Sequence, residues 1–127
     1  MKRYRALIPG VSGAVGRRLA EHLAASGEWE VIGLARRPPA DLAGCRLISV
    51  DLTDAAACRT ALRPLTDITH VLYCARYDHT TAAKEPTGVN LAMLRNVLDA
   101  IEPVASGVQH VHLVHGADPG IVADVDI

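Results

Sequence analysis

No apolar run in this chain approaches the roughly 18 to 20 residues that a membrane-spanning helix needs. No basic cluster disturbs its charge balance either: 13 Lys and Arg stand against 14 Asp and Glu, a formal net charge of −1. The first absence excludes a helical membrane span, and the second argues against nucleic acid or an anionic membrane surface as a partner. The opening Met-Lys-Arg-Tyr-Arg passes directly into a strand pattern, without the apolar stretch of a signal peptide. Cysteine is scarce. Cys45, Cys58 and Cys74 lie far apart, lack metal or redox spacing, and read as buried thiols of a cytoplasmic protein. What is present in quantity is apolar: 50% of the 127 residues, enough for one domain with one core and suited to a sheet buried on both faces.

The chain is organised around residues 7–16, Leu-Ile-Pro-Gly-Val-Ser-Gly-Ala-Val-Gly. An apolar run (Ala6, Leu7, Ile8) ends in Gly10, Gly13 and Gly16, spaced by three. A helical pattern starts at once, with Ala14, Val15, Leu19, Ala20, Leu23 and Ala24 on one face and Arg17, Arg18, Glu21 and His22 on the other. Strand, glycine turn and helix is the layout of a dinucleotide site. Gly10 would allow the tight turn, Gly13 would let a pyrophosphate approach the backbone, and Gly16 would let the helix pack on the strand. The helix N-terminus adds free N–H groups and a partial positive charge. Ser12 stands where the familiar G-x-G-x-x-G spacing has its middle glycine, and a glycine-rich turn that binds nothing is the plain alternative.

The remaining pattern alternates strands with helices. Strands are expected over residues 4–8, 30–35, 46–50, 69–75 and 110–114, and helices over 13–26, about 53–62 and 87–101, the last with Val89, Met93, Leu94, Val97 and Leu98 on its inner face. Gly27 would stop the first helix, Thr53 or Asp54 would cap the second, and 41–44 is expected as a helical turn after Pro38-Pro39. Residues 76–86 form the longest irregular segment. The fold class is α/β, a doubly wound parallel sheet of about five strands in the order 3-2-1-4-5. Ligands of such sheets lie outside the carboxyl ends of the strands, where the winding reverses between strands one and four. That gathers residues 10–15, Arg36 and Arg37, Asp51 and Leu52, 74–77 and 114–116 around one crevice.

Arg36 and Arg37 end the second strand, where an acidic residue would bind the ribose hydroxyls of NAD; no Asp or Glu is there. A guanidinium fork matches a 2′-phosphate, which favours NADP (NADPH) over NAD. A solvated Arg pair is the alternative. Asp51 could accept from an adenine amino group with Leu52 beside the ring, or only shape the turn before the next helix; the two roles are compatible. His110 and His112 would share a strand face near His115. No carboxylate or cysteine ligand accompanies them, so ordinary strand histidines are expected and no metal.

These residues resemble the extended short-chain dehydrogenase/reductases, the NAD-dependent epimerase/dehydratase-like superfamily of Rossmann-like folds. G-V-S-G-A-V-G at 10–16, D-L-T-D at 51–54 and N-L-A-M-L-R-N-V-L-D-A at 90–100 carry the likeness. A-R-R-P at 35–38, P-L-T-D-I-T-H-V-L-Y at 64–73 and M-L-R-N-V-L-D-A at 93–100 resemble most the progesterone 5β-reductase and iridoid synthase-like group, whose enzymes use NADPH to reduce an enone or enal. The resemblance implies pyrophosphate contacts at Gly10, Ser12, Ala14 and Val15, with Gly13 and Gly16 completing the motif. It implies a 2′-phosphate at Arg36 and Arg37, adenine at Asp51 and Leu52, the second ribose near Cys74 and Ala75, and the nicotinamide side near Val114. Asn90 matches an asparagine of the family's fourth helix.

The likeness covers residues 4–116, expected as one Rossmann domain followed by an unrelated tail at 117–127. No catalytic residue carries over. Where the group has T-G-x-K after strand five, this chain has His115-Gly116-Ala117-Asp118, and an anion in the lysine's place would disfavour an enolate. Neither Tyr73 nor Tyr77 has a lysine four residues on, and Arg76, His79 and Lys84 are no substitute. A fold truncated relative to the family is therefore expected, the product of an interrupted reductase gene: the NADP(H)-binding half, inactive alone. A stand-alone dinucleotide-binding or sensor module acting through a partner, and an epimerase/dehydratase-like protein, are the alternatives. Strand five without its neighbour would leave a bare sheet edge or apolar surface, which predicts a homo-oligomer.

Overall fold

The computed structural model describes residues 3–75, 87–114 and 122–125. Strand β1 (Tyr4–Pro9) is the centre of the molecule, buried from Ala6 to Pro9 because a strand or helix covers every side of it. Helix α1 (Ala14–Ala25) follows, then β2 (Trp29–Ala35), β3 (Cys45–Ser49), α2 (Ala55–Leu62), β4 (His70–Tyr73), α3 (Thr87–Ile101), β5 (His110–Val114) and β6 (Val122–Val125). The sheet order is β3-β2-β1-β4-β5-β6. The first five strands are parallel, in the expected order 3-2-1-4-5.

Strand β6 was not expected. It lies antiparallel on the outer edge of β5, pairing Val111 with Val125 and Val114 with Val122. The predicted bare edge at strand five is thus corrected: its ladder groups face a neighbouring strand. Two smaller corrections are local. Residues 41–44 form turns rather than a helical turn, and Gly44 takes a positive φ of 78° that helix does not allow. Asp54, not Thr53, caps α2, its carboxylate accepting from the Ala57 N–H at 3.0 Å. The expected irregular stretch 76–86 lies outside the described residues.

Alternation along the strands sends two sets of side chains to two layers. Ala6, Ile8, Val31 and Ala35 face α1, where Ala20 and Val11 meet them. Leu7, Ile32, Leu34, Val71, Tyr73 and Val111 face α2 and α3, which supply Cys58, Leu62, Met93, Val97 and Ile101. On the α1 side, the first residues of four strands form a row of rings. Trp29 and Tyr4 are 4.8 Å apart, His70 is 4.8 Å from Trp29, and His110 lies 5.5 Å from His70. Burial, with His110 and His112 beside it, holds the His70 imidazole below its usual range. This row closes the amino end of the sheet, opposite the predicted crevice.

Two glycines set how closely the layers meet. A Cβ on Gly10, where φ is +90°, would fall 2.4 Å from the Ala75 backbone, and one on Gly16 would fall 2.3 Å from the Gly10 carbonyl oxygen. Neither neighbour can move aside, since both are main chain. Gly27, at φ +82°, has nothing within 4 Å of such an atom. Gly16→Ala should therefore cost about 3 kcal/mol or more of unfolding free energy through overpacking. Gly27→Ala should cost only about 1 to 2 kcal/mol, the strain of a left-handed residue. Urea unfolding of both variants checks the order, and equal losses would contradict it. The Tyr73 hydroxyl is buried with no hydrogen-bond partner among the described residues, and burial pushes its ionisation well above the ordinary range. Tyr73→Phe is expected to leave the thermal midpoint unchanged or raise it, because no bond is lost with the hydroxyl.

Candidate functional site

Four backbone hydrogen bonds draw four strand ends together at the carboxyl side of the sheet. Gly10 and Val11 donate to the Leu34 carbonyl at 2.8 and 3.1 Å, Cys74 donates to Pro9 at 2.8 Å, and Val50 donates to Ala35 at 3.0 Å. Between these ends lies a cleft of about 440 Å³, lined by Gly10, Ser12, Ala35, Arg36, Val50, Asp51, Leu52, Thr53, Ala75 and Met93. It stands at the reversal of winding between β1 and β4, where open α/β sheets take their ligands.

Of the site residues expected from sequence, Gly10, Ser12, Arg36, Asp51, Leu52 and Ala75 line this cleft. Gly13, Ala14 and Val15 are exposed at the start of α1, on the turn that the cleft shares. Gly16 is buried under the Gly10 carbonyl and serves packing. Arg37 is exposed beside Arg36 but is not in the lining. Cys74 contributes main chain against Gly10, while its thiol turns to the Leu72 carbonyl at 3.6 Å and burial raises its pKa to about 11. Val114 is half-buried at the end of β5, outside the lining. His115 and Gly116 lie outside the described residues.

Gly13 differs from its two partners in the motif. A Cβ there would meet only the Gly10 oxygen, at an ordinary 3.6 Å. Its φ of −76° is open to any residue. No contact among the described residues requires a glycine at this position. As N-cap of α1 it offers no side-chain bond, so among the described residues the first turn has no side-chain cap for its N–H donors, in contrast to α2 with its Asp54 cap. A bare, uncapped helix start beside an open cleft fits a phosphate group, which needs close backbone approach and N–H donors.

The opposite wall is polar. Asp51 Oδ1 accepts from the Thr53 hydroxyl at 2.7 Å and the Thr53 N–H at 3.0 Å. These bonds, with a smaller contribution from Arg36, hold the Asp51 carboxyl below the usual carboxylate range. Asn96 on α3 donates from Nδ2 to the Leu52 carbonyl at 2.9 Å. Arg17 on α1 pairs with Asp41 at 3.0 Å, tying the loop after Arg36 and Arg37 back to the helix. Among the described residues, Arg36 is the one cation in the cleft lining. Sequence reasoning missed Thr53, Val50, Ala35 and Met93 as lining residues and Asn96 as a support. Met93 was foreseen only as a core residue; the D-L-T-D string was the one available signal for Thr53.

Among the described residues, no group of three His, Cys, Asp or Glu could hold a metal ion. The His110 and His112 rings lie 5.7 Å apart along β5, with His110 in the ring row. No helix among the described residues is long and apolar enough to cross a membrane.

Comparison with known proteins agrees with this geometry. Residues 6–117 match the model of the NAD dependent epimerase/dehydratase family. A 3-oxo-Δ(4,5)-steroid 5β-reductase of Arabidopsis thaliana is 43% identical over 123 residues, covering 87% of this chain and 30% of that protein. An (S)-8-oxocitronellyl enol synthase of Camptotheca acuminata is 43% identical over 118 residues, with the same coverage of 87% and 30%. The chain thus spans about 30% of the length of these relatives. In fold, the aldohexose dehydrogenase of Thermoplasma acidophilum superposes with a TM-score of 0.70 over 85% of this chain and 46% of its own, at 17% identity.

The Asp51 bonds carry a testable consequence. A carboxyl whose folded pKa is depressed stabilises the fold above its unfolded pKa, and that contribution is lost as pH falls through the folded pKa. Thr53→Val removes the hydroxyl, the larger of the two bonds' effects, and should move the Asp51 titration up toward the ordinary carboxylate value. Carbon-13 NMR titration of the side chain reads this directly; an unmoved titration would contradict it. Fold, cleft and sequence match together place the chain in the NAD dependent epimerase/dehydratase family.

Proposed function

We propose that the cleft binds NADP(H) in preference to NAD(H). The observation that carries the reading is the assembly, around one opening, of the glycine turn at Gly10 and Ser12, the cation Arg36 and the polar loop of Asp51, Leu52 and Thr53. Each meets a different part of one dinucleotide. The N–H groups of Ala14 and Val15, with Ser12 and the turn at Gly10, would take the pyrophosphate, while Gly13, whose own N–H is bonded to the Gly10 carbonyl at 3.2 Å, would leave it room. Gly16 would keep the helix close enough for them to do so. The guanidinium of Arg36, with Arg37 beside it, would take the 2′-phosphate, where a bidentate charged hydrogen bond is strongest. Asp51 Oδ2, which the Thr53 bonds leave out, and Leu52 would meet the adenine. Main chain at Cys74 and Ala75 would flank the second ribose, and Val114 would lie on the nicotinamide side.

The bound group would supply hydride, and relatives named for steroid 5β-reduction and oxocitronellyl enol synthesis favour an activated carbon–carbon double bond as its acceptor. For residues 1–127 the proposal is binding rather than turnover. Asp118 stands where the resemblance expects a lysine, and no Y-x-x-x-K pair occurs in the sequence. The cleft would orient the dinucleotide; the acid that would assist reduction is not assigned to this stretch.

Isothermal calorimetry with NADPH and NADH tests the reading. The native chain should bind NADPH at least tenfold more tightly, about 1.4 kcal/mol, and Arg36→Ala should abolish most of that preference. Gly13→Ala should weaken both nucleotides tenfold or more while moving the unfolding free energy by less than about 1 kcal/mol, since an N-cap change of this kind is small. Equal affinity for the two would overturn the 2′-phosphate assignment. Absence of binding by either would overturn the dinucleotide reading.

A further inference from the structure

We propose that Asn96 is a positioning residue for base recognition, acting on Asp51 through the peptide that joins Leu52 to Thr53. The inference rests on the dinucleotide reading and adds a component to it. Asn96 Nδ2 reaches 2.9 Å across 44 positions of sequence to the Leu52 carbonyl. The peptide that carries this carbonyl also carries the Thr53 N–H, which donates to Asp51 Oδ1 at 3.0 Å. A trans peptide is rigid and planar, and its C=O and N–H point in opposite directions. Fixing the carbonyl therefore aims the N–H, and the N–H holds one oxygen of the Asp51 carboxylate.

The remaining bonds of the loop cannot do this alone. Val50 is tied to Ala35 at 3.0 Å, and the Asp54 N–H reaches the Asp51 carbonyl at 3.0 Å. These bonds fix the ends of the loop and leave rotation of the Leu52–Thr53 peptide between them. The Cys58 thiol lies 3.9 Å from the Leu52 oxygen, a weak donor at the limit of its range. Among the described residues, Asn96 is the one strong side-chain donor from the helix layer to this loop. It also stands one turn beyond Met93, which lines the cleft, so α3 supplies the apolar floor and, through Asn96, the orientation of the polar wall. With the Leu52 carbonyl engaged and Oδ1 of Asp51 held, the wall presents a carboxylate oxygen as acceptor. An adenine amino group donates to that acceptor; the carbonyl oxygen of hypoxanthine cannot.

The test uses the full chain with NADPH and its hypoxanthine analogue, nicotinamide hypoxanthine dinucleotide phosphate, against Asn96→Leu and Asn96→Ser. The leucine keeps the volume without a donor, and the serine serves should the leucine variant fail to fold. Native protein should favour NADPH over the analogue by tenfold or more. In the variants the ratio should fall to twofold or less, and the Thr53 amide should exchange with solvent at least tenfold faster without ligand. A folded variant that keeps the native ratio and the native Thr53 exchange, even with a lower melting point, overturns the role of Asn96. Native protein that binds neither nucleotide overturns the dinucleotide reading and the base role with it, a result distinct from the first.

Discussion

Everything at the ligand end of this molecule depends on the contact of bare backbone with bare backbone at Gly10. The turn after β1 lies directly on the Cys74–Ala75 main chain, and α1 begins on the Gly10 carbonyl, because neither Gly10 nor Gly16 carries a Cβ. Any side chain at either position would lift α1 off the sheet or push β1 away from β4. The cleft exists because the turn sits this low: its walls are the turn itself and the loops that leave β2 and β3 at the same level. Val11 is part of the same constraint. It is fully buried against Gly33 of β2, where an added Cβ would stand 2.8 Å from its methyl groups.

Rigid backbone then allows few polar groups to define a surface. Among the described residues, the cleft lining holds a single cation, Arg36, and a single carboxylate, Asp51, on neighbouring strand ends. Each is anchored through main chain or short bonds rather than long ion pairs. The Arg36 carbonyl accepts from Ser49 at 2.9 Å, and Asp51 is folded onto Thr53. Their charged ends remain exposed to solvent, where a ligand can reach them. The amino end of the sheet is built on the opposite plan. There the ring row of Trp29, Tyr4, His70 and His110 packs edge and face across four strands. Fold and site thus occupy opposite ends of the same strands, which is the usual division of labour in open α/β sheets.

Much of this could be read from sequence because the determining signals are local. The apolar runs and glycine spacing of residues 6–16, the stop at Gly27 and the inner face of residues 89–98 each depend on neighbours a few positions away, and the strand order follows from right-handed crossover. What escaped depends on contacts distant in sequence or on competition between adjacent residues. Thr53 and Asp54 both suit an N-cap. Asp54 takes the role because the Thr53 hydroxyl is already bonded to Asp51. Asn96 looks like any polar residue on a helix until folding brings Leu52 to it. The short Val122–Val125 strand has no flanking pattern to set it apart, and pairing with β5 is what defines it. Gly13 was recognised as part of the motif, but only the structure separates it from Gly10 and Gly16, which the fold itself requires.

The most direct test of the account is a map of backbone amide shifts in labelled protein titrated with NADPH. The account predicts saturable shifts at Gly10, Ser12, Gly13, Ala14, Arg36, Asp51, Leu52 and Thr53, and a silent amino end at Tyr4, Trp29, His70 and His110. Shifts that gather at the ring row, or an unchanged spectrum at millimolar NADPH, would contradict the claim that this cleft is a dinucleotide site.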